Sequence, residues 1–486
     1  MTAVEKLQPQ SVWRVFAELA KVPRCSGNEQ AVMAMLKRWA EQRGLPVKQD
    51  EVGNLLVTIP ASKGREKVPP VLIQGHVDMV CEKNAATKHD FARDPIRLKV
   101  HGDWVSADGT TLGADNGIGV AMALALADEP KLVHPAVEVL LTVDEERGLT
   151  GAAGVEAGFF TARRMINLDS EEDVSLFIGC AGGRDSEITI RNSKGKPAKG
   201  HVGRKVVVRG LLGGHSGLDI DKNRGNAIKI LTRCLLAARD AIPALKLVSI
   251  DGGSMRNAIP REAEAVVSVP EADARRFRRL VLDAAARIKE EELAGIDDGL
   301  EVKVSTAKLT HSLGSNCTTR ILGLLDALPN GVLAMSRAVP GLVETSSNVG
   351  VVRTDGSRVR IVCCSRSSNM SALDGLVRRH RSLVELLAGK ADVDQPAGYP
   401  GWRPNPDSEM VRTTARLYKK LFKREPELKA IHAGLECGLL TEKYPELDIV
   451  SFGPDIVGAH SPDEKVSIRS VQRIWKLLTA VLAELR

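Results

Sequence analysis

Val137-Glu-Val-Leu-Leu-Thr-Val-Asp-Glu-Glu-Arg-Gly148 is an apolar run that gives way to two adjacent carboxylates. The run reads as a buried strand over Val137–Val143 that empties into a turn. Upstream, Gly117–Asp128 is small and apolar, a helix suited to tight packing on a sheet. Val71–Gln74 and Leu55–Ile59 read as further strands. Before them, a helix from about Asn28 to Gln42 puts Val32, Met33, Leu36 and Trp39 on one face, and residues 11–23 form an amphipathic helix ended by Pro23. Strands alternating with helices predict an α/β/α sandwich with a mainly parallel sheet.

Near residue 187 the pattern changes. Glu187–Ile190, Lys205–Arg209 and Ala263–Val269 alternate as half-buried antiparallel strands do, with helices at about Asn226–Asp240 and Ala272–Leu293. This predicts an α+β domain over 187–396 inserted into a first domain made of 1–186 and 397–486. The Gly/Pro-rich stretch Gly398–Pro406 marks the return, followed by elements at Ser408–Phe422, Glu427–Ile431, Ile449–Phe452 and Ile468–Leu485.

Composition narrows the function. At 486 residues, 43% of them apolar, the chain is long enough for two or three units with real cores. Aromatics make up only 3%, which argues against a base-stacking surface, and the net charge of +7 is modest. The basic clusters Arg275–Arg279 and Lys419–Arg424 carry apolar residues at helical spacing and no recognition motif, so no nucleic-acid partner is expected. No stretch is apolar enough to span a membrane, and no signal segment opens the chain. Eight cysteines without a Cys-x-x-Cys pair read as free thiols in a reducing compartment, hence a cytoplasmic protein.

Several strands end in residues of ligand type. In Val71-Leu-Ile-Gln-Gly-His-Val-Asp78, His76 and Asp78 are two apart and share one side of an extended chain. The carboxylate can then orient the imidazole. Thr110-Thr-Leu-Gly-Ala-Asp-Asn-Gly117 offers Asp115, either a helix cap or a carboxylate that bridges two cations, among glycines that permit an unusual backbone. Glu145 and Glu146 follow the 137–143 strand, Asp169 follows Met165-Ile-Asn-Leu168, and His460 lies in a polar loop after Ile449–Phe452. Each segment alone is ambiguous; together they supply two imidazoles (His76, His460) and three carboxylates (Asp115, Glu146, Asp169). With Asp115 shared, each of two metals receives one histidine, one terminal carboxylate and the bridge. Nitrogen and oxygen ligation suits Zn²⁺ first, with Mn²⁺ or Co²⁺ as substitutes. Glu145 keeps a free oxygen to take a proton from water, as hydrolysis of an unactivated amide requires.

These motifs resemble the di-zinc metallopeptidases related to aminoacylase and glutamate carboxypeptidase. The subgroup they resemble is the bacterial aminoacyl-histidine dipeptidases, also called cytosolic non-specific dipeptidases or peptidase D. Cys180–Gly183, Gly213-Gly-His-Ser-Gly217, Arg256-Asn-Ala-Ile-Pro-Arg261, Tyr399–Trp402 and His432-Ala-Gly-Leu-Glu-Cys-Gly438 extend the likeness along the chain. The resemblance implies that His76, Asp115, Glu146, Asp169 and His460 hold the metals, that Asp78 orients His76 and that Glu145 is the general base. It implies a cis peptide after Asp115 and makes the inserted domain a lid. His215 would stabilise the tetrahedral intermediate; as a bare sequence, Gly213–Gly217 could also be a plain tight turn. Asn257 and Arg366 would hold the substrate, Arg366 by its free carboxylate, although the residues flanking Arg366 depart from the pattern. Glu436 would meet the α-amino group. The expected activity is hydrolysis of small unblocked dipeptides, Xaa-His included, by a homodimer. Alternatives are an aminoacylase, a tripeptidase or a carboxypeptidase of the same clan, or a non-catalytic binding protein that kept the fold.

Overall fold

A computed structural model describes residues 2–191, 194–388 and 391–486. The chain divides into two compact units, one of 1–180, 402–430 and 435–486, the other of 181–401 and 431–434. The expected crossings at 186/187 and 396/397 therefore fall at 180/181 and 401/402, and two further crossings at 430/431 and 434/435 were not expected. The alternation that suggested 187 is the middle of one long strand, Gly182–Arg191, which already pairs with Arg358–Ser367 from its first residue.

The first unit is built on an eight-stranded sheet in the order Val47–Gln49, Leu55–Ile59, Val137–Thr142, Val71–His76, Arg164–Asn167, Asp448–Ser451, Ser175–Cys180, Glu427–Ile431. The four central strands from Val137–Thr142 to Asp448–Ser451 are parallel. Their neighbours Leu55–Ile59 and Ser175–Cys180 run antiparallel to them, so the expected parallel sheet is the core of a mixed one. Val71–His76 and Val137–Thr142 are buried at every position, as central strands covered on both faces must be. Parallel direction sends the carboxyl ends of all four central strands to one edge, where ligands collect in open α/β sheets.

The helix Ala114–Ala125 packs on the sheet with almost every residue buried. Its small residues permit that approach: a Cβ on Gly119 would lie 2.5 Å from the Leu168 carbonyl oxygen. The helix Gln10–Leu19 buries Val12, Trp13, Phe16 and Leu19, the face its sequence spacing predicts.

The second unit carries an antiparallel sheet in the order Glu301–Ala307, His201–Arg209, Ala263–Pro270, Lys246–Gly252, Val343–Asp355, Arg358–Ser367, Gly182–Arg191, Ala391–Asp394, with Gly331–Met335 paired to Val343–Asp355. Helices Ala227–Ala241, Ala274–Glu291 and Ser315–Ala327 contribute Leu231, Phe277 and Leu322 to its core.

Candidate metal centre

Each central strand of the first unit delivers a side chain at its carboxyl end. His76 closes Val71–His76, and the short helix Glu145–Gly148 follows Val137–Thr142. Asp169 lies two residues past Arg164–Asn167, and His460 lies in the loop beyond Asp448–Ser451. Asp115 enters from the turn that opens Ala114–Ala125, where its backbone is non-helical and the Asp115–Asn116 peptide bond is cis.

Asp115 stands between the two histidines. Its Oδ1 is 3.1 Å from His76 Nε2, and its Oδ2 is 3.2 Å from His460 Nε2. Asp169 Oδ1 is 3.2 Å from His76 Nε2, and Glu146 Oε2 is 2.9 Å from His460 Nε2. The five groups thus form two trios that share one carboxylate. Single ligand atoms of His76, Asp115 and Glu146 lie within 4.8 Å of one another. Glu145 Oε2 lies 4.0 Å from His76 Nε2.

Asp78 does two jobs. Its Oδ1 is 3.4 Å from His76 Nδ1, which leaves His76 Nε2 turned to the cluster. It also accepts the backbone N–H groups of Glu145 (3.1 Å) and Glu146 (3.2 Å) and the Ser26 hydroxyl (2.7 Å). One buried carboxylate therefore fixes the imidazole and the glutamate pair together.

The cluster is crowded with negative charge. Burial opposes charging His76, yet Asp169, Asp115 and Asp78 drive its pKa well above that of a free imidazole. Hydrogen bonds to Asp115 and Glu146 push His460 up to about 11. Burial raises Asp169 to about 6 against the pull of His76. Burial holds Glu145 well above the ordinary carboxylate range; His76 opposes this, and Asp169, Glu436 and Glu146 add to it. Asp78, buried but paired with His76, falls to about 2. A divalent cation in each trio would relieve this crowding, and one atom calls for it directly. Glu146 Oε1 is buried with no hydrogen-bond partner among the described residues. Two imidazoles and three carboxylates form a nitrogen–oxygen donor set that fits zinc-like ions.

Glu436 also belongs to the first unit. It is 1% exposed, accepts hydrogen bonds from Gln74 Nε2 (2.5 Å) and Thr142 Oγ1 (2.8 Å), and is raised to about 7 by burial. Its Oε1 has no partner among the described residues.

His215, Asn257 and Arg366 lie in the second unit. The segment Gly214–His215 pairs with Ala258–Ile259, and Ser216 N donates to the Asn257 carbonyl at 2.8 Å, so two of the motifs read in sequence meet. The Asn257 side chain is exposed. His215 Nδ1 accepts the N–H groups of Gly217 (3.3 Å) and Leu218 (3.1 Å), which leaves the proton of the neutral ring on Nε2. Burial, then Arg366, lower its pKa. Arg366 is 6% exposed and donates to the Tyr399 hydroxyl at 2.7 Å; among the described residues no carboxylate pairs with it.

Three features were not foreseen. Cys25 and Cys81 form a disulfide, which corrects the expectation that all eight cysteines are free thiols. Their separation of 56 residues gives no signal in sequence, but a parallel bridge between Cys25 and Met79 brings the segments together. Arg24 is buried and donates to the carbonyls of Val77 (2.8 Å), Asp78 (3.2 Å) and Gly113. Glu464, four residues beyond His460 in the same loop, caps the Asp115 turn.

A match to Peptidase family M20/M25/M40 spans residues 72–484. The cytosol non-specific dipeptidase of Escherichia coli is 41% identical over 486 residues, covering 100% of this chain and 99% of that protein. The crystal structure of aminoacylhistidine dipeptidase from Vibrio alginolyticus superposes with a TM-score of 0.94 at 40% identity, covering 100% of this chain and 98% of that one. Aminopeptidase PepT from Bacillus cereus, at 17% identity and a TM-score of 0.58 over 99% of both chains, shares the fold. With five ligand-type side chains gathered at the carboxyl edge of the sheet and this likeness along its whole length, the chain belongs to peptidase family M20/M25/M40.

Proposed function

We propose that this chain is a metal-dependent dipeptidase that hydrolyses small unblocked dipeptides, Xaa-His (carnosine-like) substrates included. The observation that carries the reading is the pair of trios sharing Asp115, with Glu145 beside them. The names of the Escherichia coli and Vibrio alginolyticus relatives support the substrate class.

His76, Asp169 and Asp115 would hold one ion, and His460, Glu146 and Asp115 the other, Zn²⁺ before Mn²⁺ or Co²⁺. When bound, the ions supply charge that polarises the amide carbonyl and acidifies water. Glu145 takes the proton of the attacking water at a carboxylate oxygen and returns it to the leaving amine. Asp78 keeps His76 oriented through Nδ1. The His215 Nε2–H is a donor suited to the developing oxyanion. Arg366, buried and with no carboxylate partner among the described residues, suits the substrate's free carboxylate, with Asn257 as a further substrate contact. Glu436 takes the α-amino group.

The enzyme is read as a cytoplasmic homodimer, which fractionation and light scattering can test. Among the described residues no helix is long and apolar enough to cross a membrane. The Cys25–Cys81 disulfide runs against the reducing compartment, so thiol titration of protein prepared from the cytosol belongs with that test.

The decisive assay is a panel of dipeptides, tripeptides and N-acyl amino acids. Dipeptides are expected to turn over fastest, and a chelator to abolish the activity. Faster turnover of N-acyl substrates would make the chain an aminoacylase, and faster turnover of tripeptides a tripeptidase.

A further inference from the structure

We propose that Glu464 is a positioning residue of the metal centre, clamping the Asp115 turn to the His460 loop so that one carboxylate meets both histidines. The proposal rests on the two-metal reading above.

Glu464 is 2% exposed and accepts four successive backbone N–H groups. Oε2 takes those of Leu112 (2.7 Å) and Gly113 (2.9 Å), and Oε1 takes those of Ala114 (2.7 Å) and Asp115 (3.2 Å). These donors cannot be met within a helix. Gly113 has φ +70°, and Asp115 and Asn116 depart from helical geometry. Leu112 and Ala114 are also buried, so water is not available to them. Asp115 sits where a capping carboxylate is expected, yet its own oxygens are turned to the histidines. Glu464, distant in sequence, supplies the cap instead. Arg24 completes the frame from the other side, since Gly113 gives its N–H to Glu464 and its carbonyl to Arg24.

The same carboxylate anchors His460. That side chain is 54% exposed and its φ is +62°, a left-handed conformation that is unfavourable for a non-glycine residue. Core packing does not hold such a residue; the closure of its loop does. The loop closes on itself through Glu464 N to the Ser461 carbonyl (3.0 Å) and Ser461 N to the Gly458 carbonyl (3.2 Å), which places the Glu464 side chain four residues beyond His460. Loss of the clamp frees the turn and the loop from each other, and the distances from Asp115 to the two histidines are no longer set together.

Glu138 is the natural control. It too is a buried carboxylate in the first unit, 7% exposed, accepting Thr161 N (2.9 Å), Thr161 Oγ1 (2.9 Å) and Ala162 N (2.8 Å). It sits at the amino end of its strand, away from the ligands. The metal-free forms of wild type, Glu464→Gln, Glu464→Asp and Glu138→Gln would be titrated calorimetrically with Zn²⁺, with amide hydrogen exchange followed at Leu112–Asp115. Wild type should take up two ions. Glu464→Gln should lose about 10- to 100-fold in zinc affinity and exchange faster at those amides, with Glu464→Asp between the two. Glu138→Gln should melt lower and bind zinc as wild type does.

Wild-type zinc affinity in a folded Glu464→Gln overturns the proposal; so does an equal loss in Glu138→Gln, which would mark a general loss of stability. If Glu464→Gln does not fold, wild-type affinity in Glu464→Asp overturns it. A wild type that takes up no zinc sinks the two-metal reading, while the exchange rates still decide whether Glu464 holds the turn.

Discussion

His76 and His460 in the first unit are held above the pKa of a free imidazole by neighbouring carboxylates, whereas His215, His380 and His432 in the second are pushed below it. Burial opposes charge in both places and does not explain the difference. The neighbours do. Around His76 stand Asp78, Asp115 and Asp169; near His215 and His432 stands Arg366. The first environment is short of cations and suits metal ions. In the second, Arg366 outweighs Asp219 at His215, whose Nε2–H has no partner among the described residues. A hydrolase of amides needs both: positive charge to activate water and carbonyl, and donors for the oxygen that becomes negative.

The contrast breaks hardest at Glu145, a carboxylate of the acidic cluster that belongs to neither trio. Glu145→Gln removes the proton carrier and leaves all five ligand side chains in place. Turnover should fall by about a thousandfold or more, while zinc content by elemental analysis stays at the wild-type value. An unchanged rate would refute the base assignment, and lost zinc would make Glu145 a ligand.

On the other side, His215→Ala should lower kcat by about a hundred- to a thousandfold with little change in KM, as loss of one oxyanion donor does. A rise in KM at constant kcat would instead make His215 a ground-state contact.

The acidic side of this contrast was legible in sequence and the cationic side much less so, for a physical reason. His76, Glu145, Glu146 and Asp169 each follow an apolar strand, and parallel strands bring their carboxyl ends together whatever the loops do. The expected strand Leu55–Ile59 has those bounds in the structure, and Val137–Val143 overruns by one residue. His215 sits in a two-stranded antiparallel ladder and Arg366 in the larger antiparallel sheet, where neighbouring strand ends point in opposite directions and strand position alone does not collect them. They were found through family resemblance. Glu464 was missed because a capping carboxylate is usually sought just ahead of its helix, and this one comes from about 350 residues away, a separation the hydrogen bonds to Ala114 and Leu112 bracket. The Cys25–Cys81 pair was missed for the same kind of reason, since only tertiary contact brings those segments together.

Arg366 offers a finer cut. Arg366→Lys keeps the charge but loses the fork that grips a carboxylate at two points. kcat/KM for free dipeptides should drop by about 10- to 100-fold, mostly through KM. Dipeptide amides, which lack the carboxylate, should lose little. Equal losses on both substrate classes would mean that Arg366 supports the fold of the second unit and not the substrate.

The smallest effect concerns stability and uses a histidine with no part in the chemistry. His380 is fully buried; its Nδ1 meets Ser186 Oγ at 3.0 Å, and its Nε2 has no partner among the described residues. Burial, then Arg379, lower its pKa from 6.5 to about 4. Between those values the unfolded chain binds a proton that the folded chain refuses, so stability is intact above 6.5 and declines as pH falls toward 4. The loss amounts to at most about 3 kcal/mol. His432, lowered to about 3, adds to the same trend. The raised carboxyls of Asp169 and Glu436 act in the opposite sense, but equally in both proteins, so the wild-type urea midpoint should fall relative to that of His380→Gln on acidification across this range. Parallel curves for wild type and variant would show that His380 stays neutral or charged in both states, and the contrast between the two units would then have to stand without it.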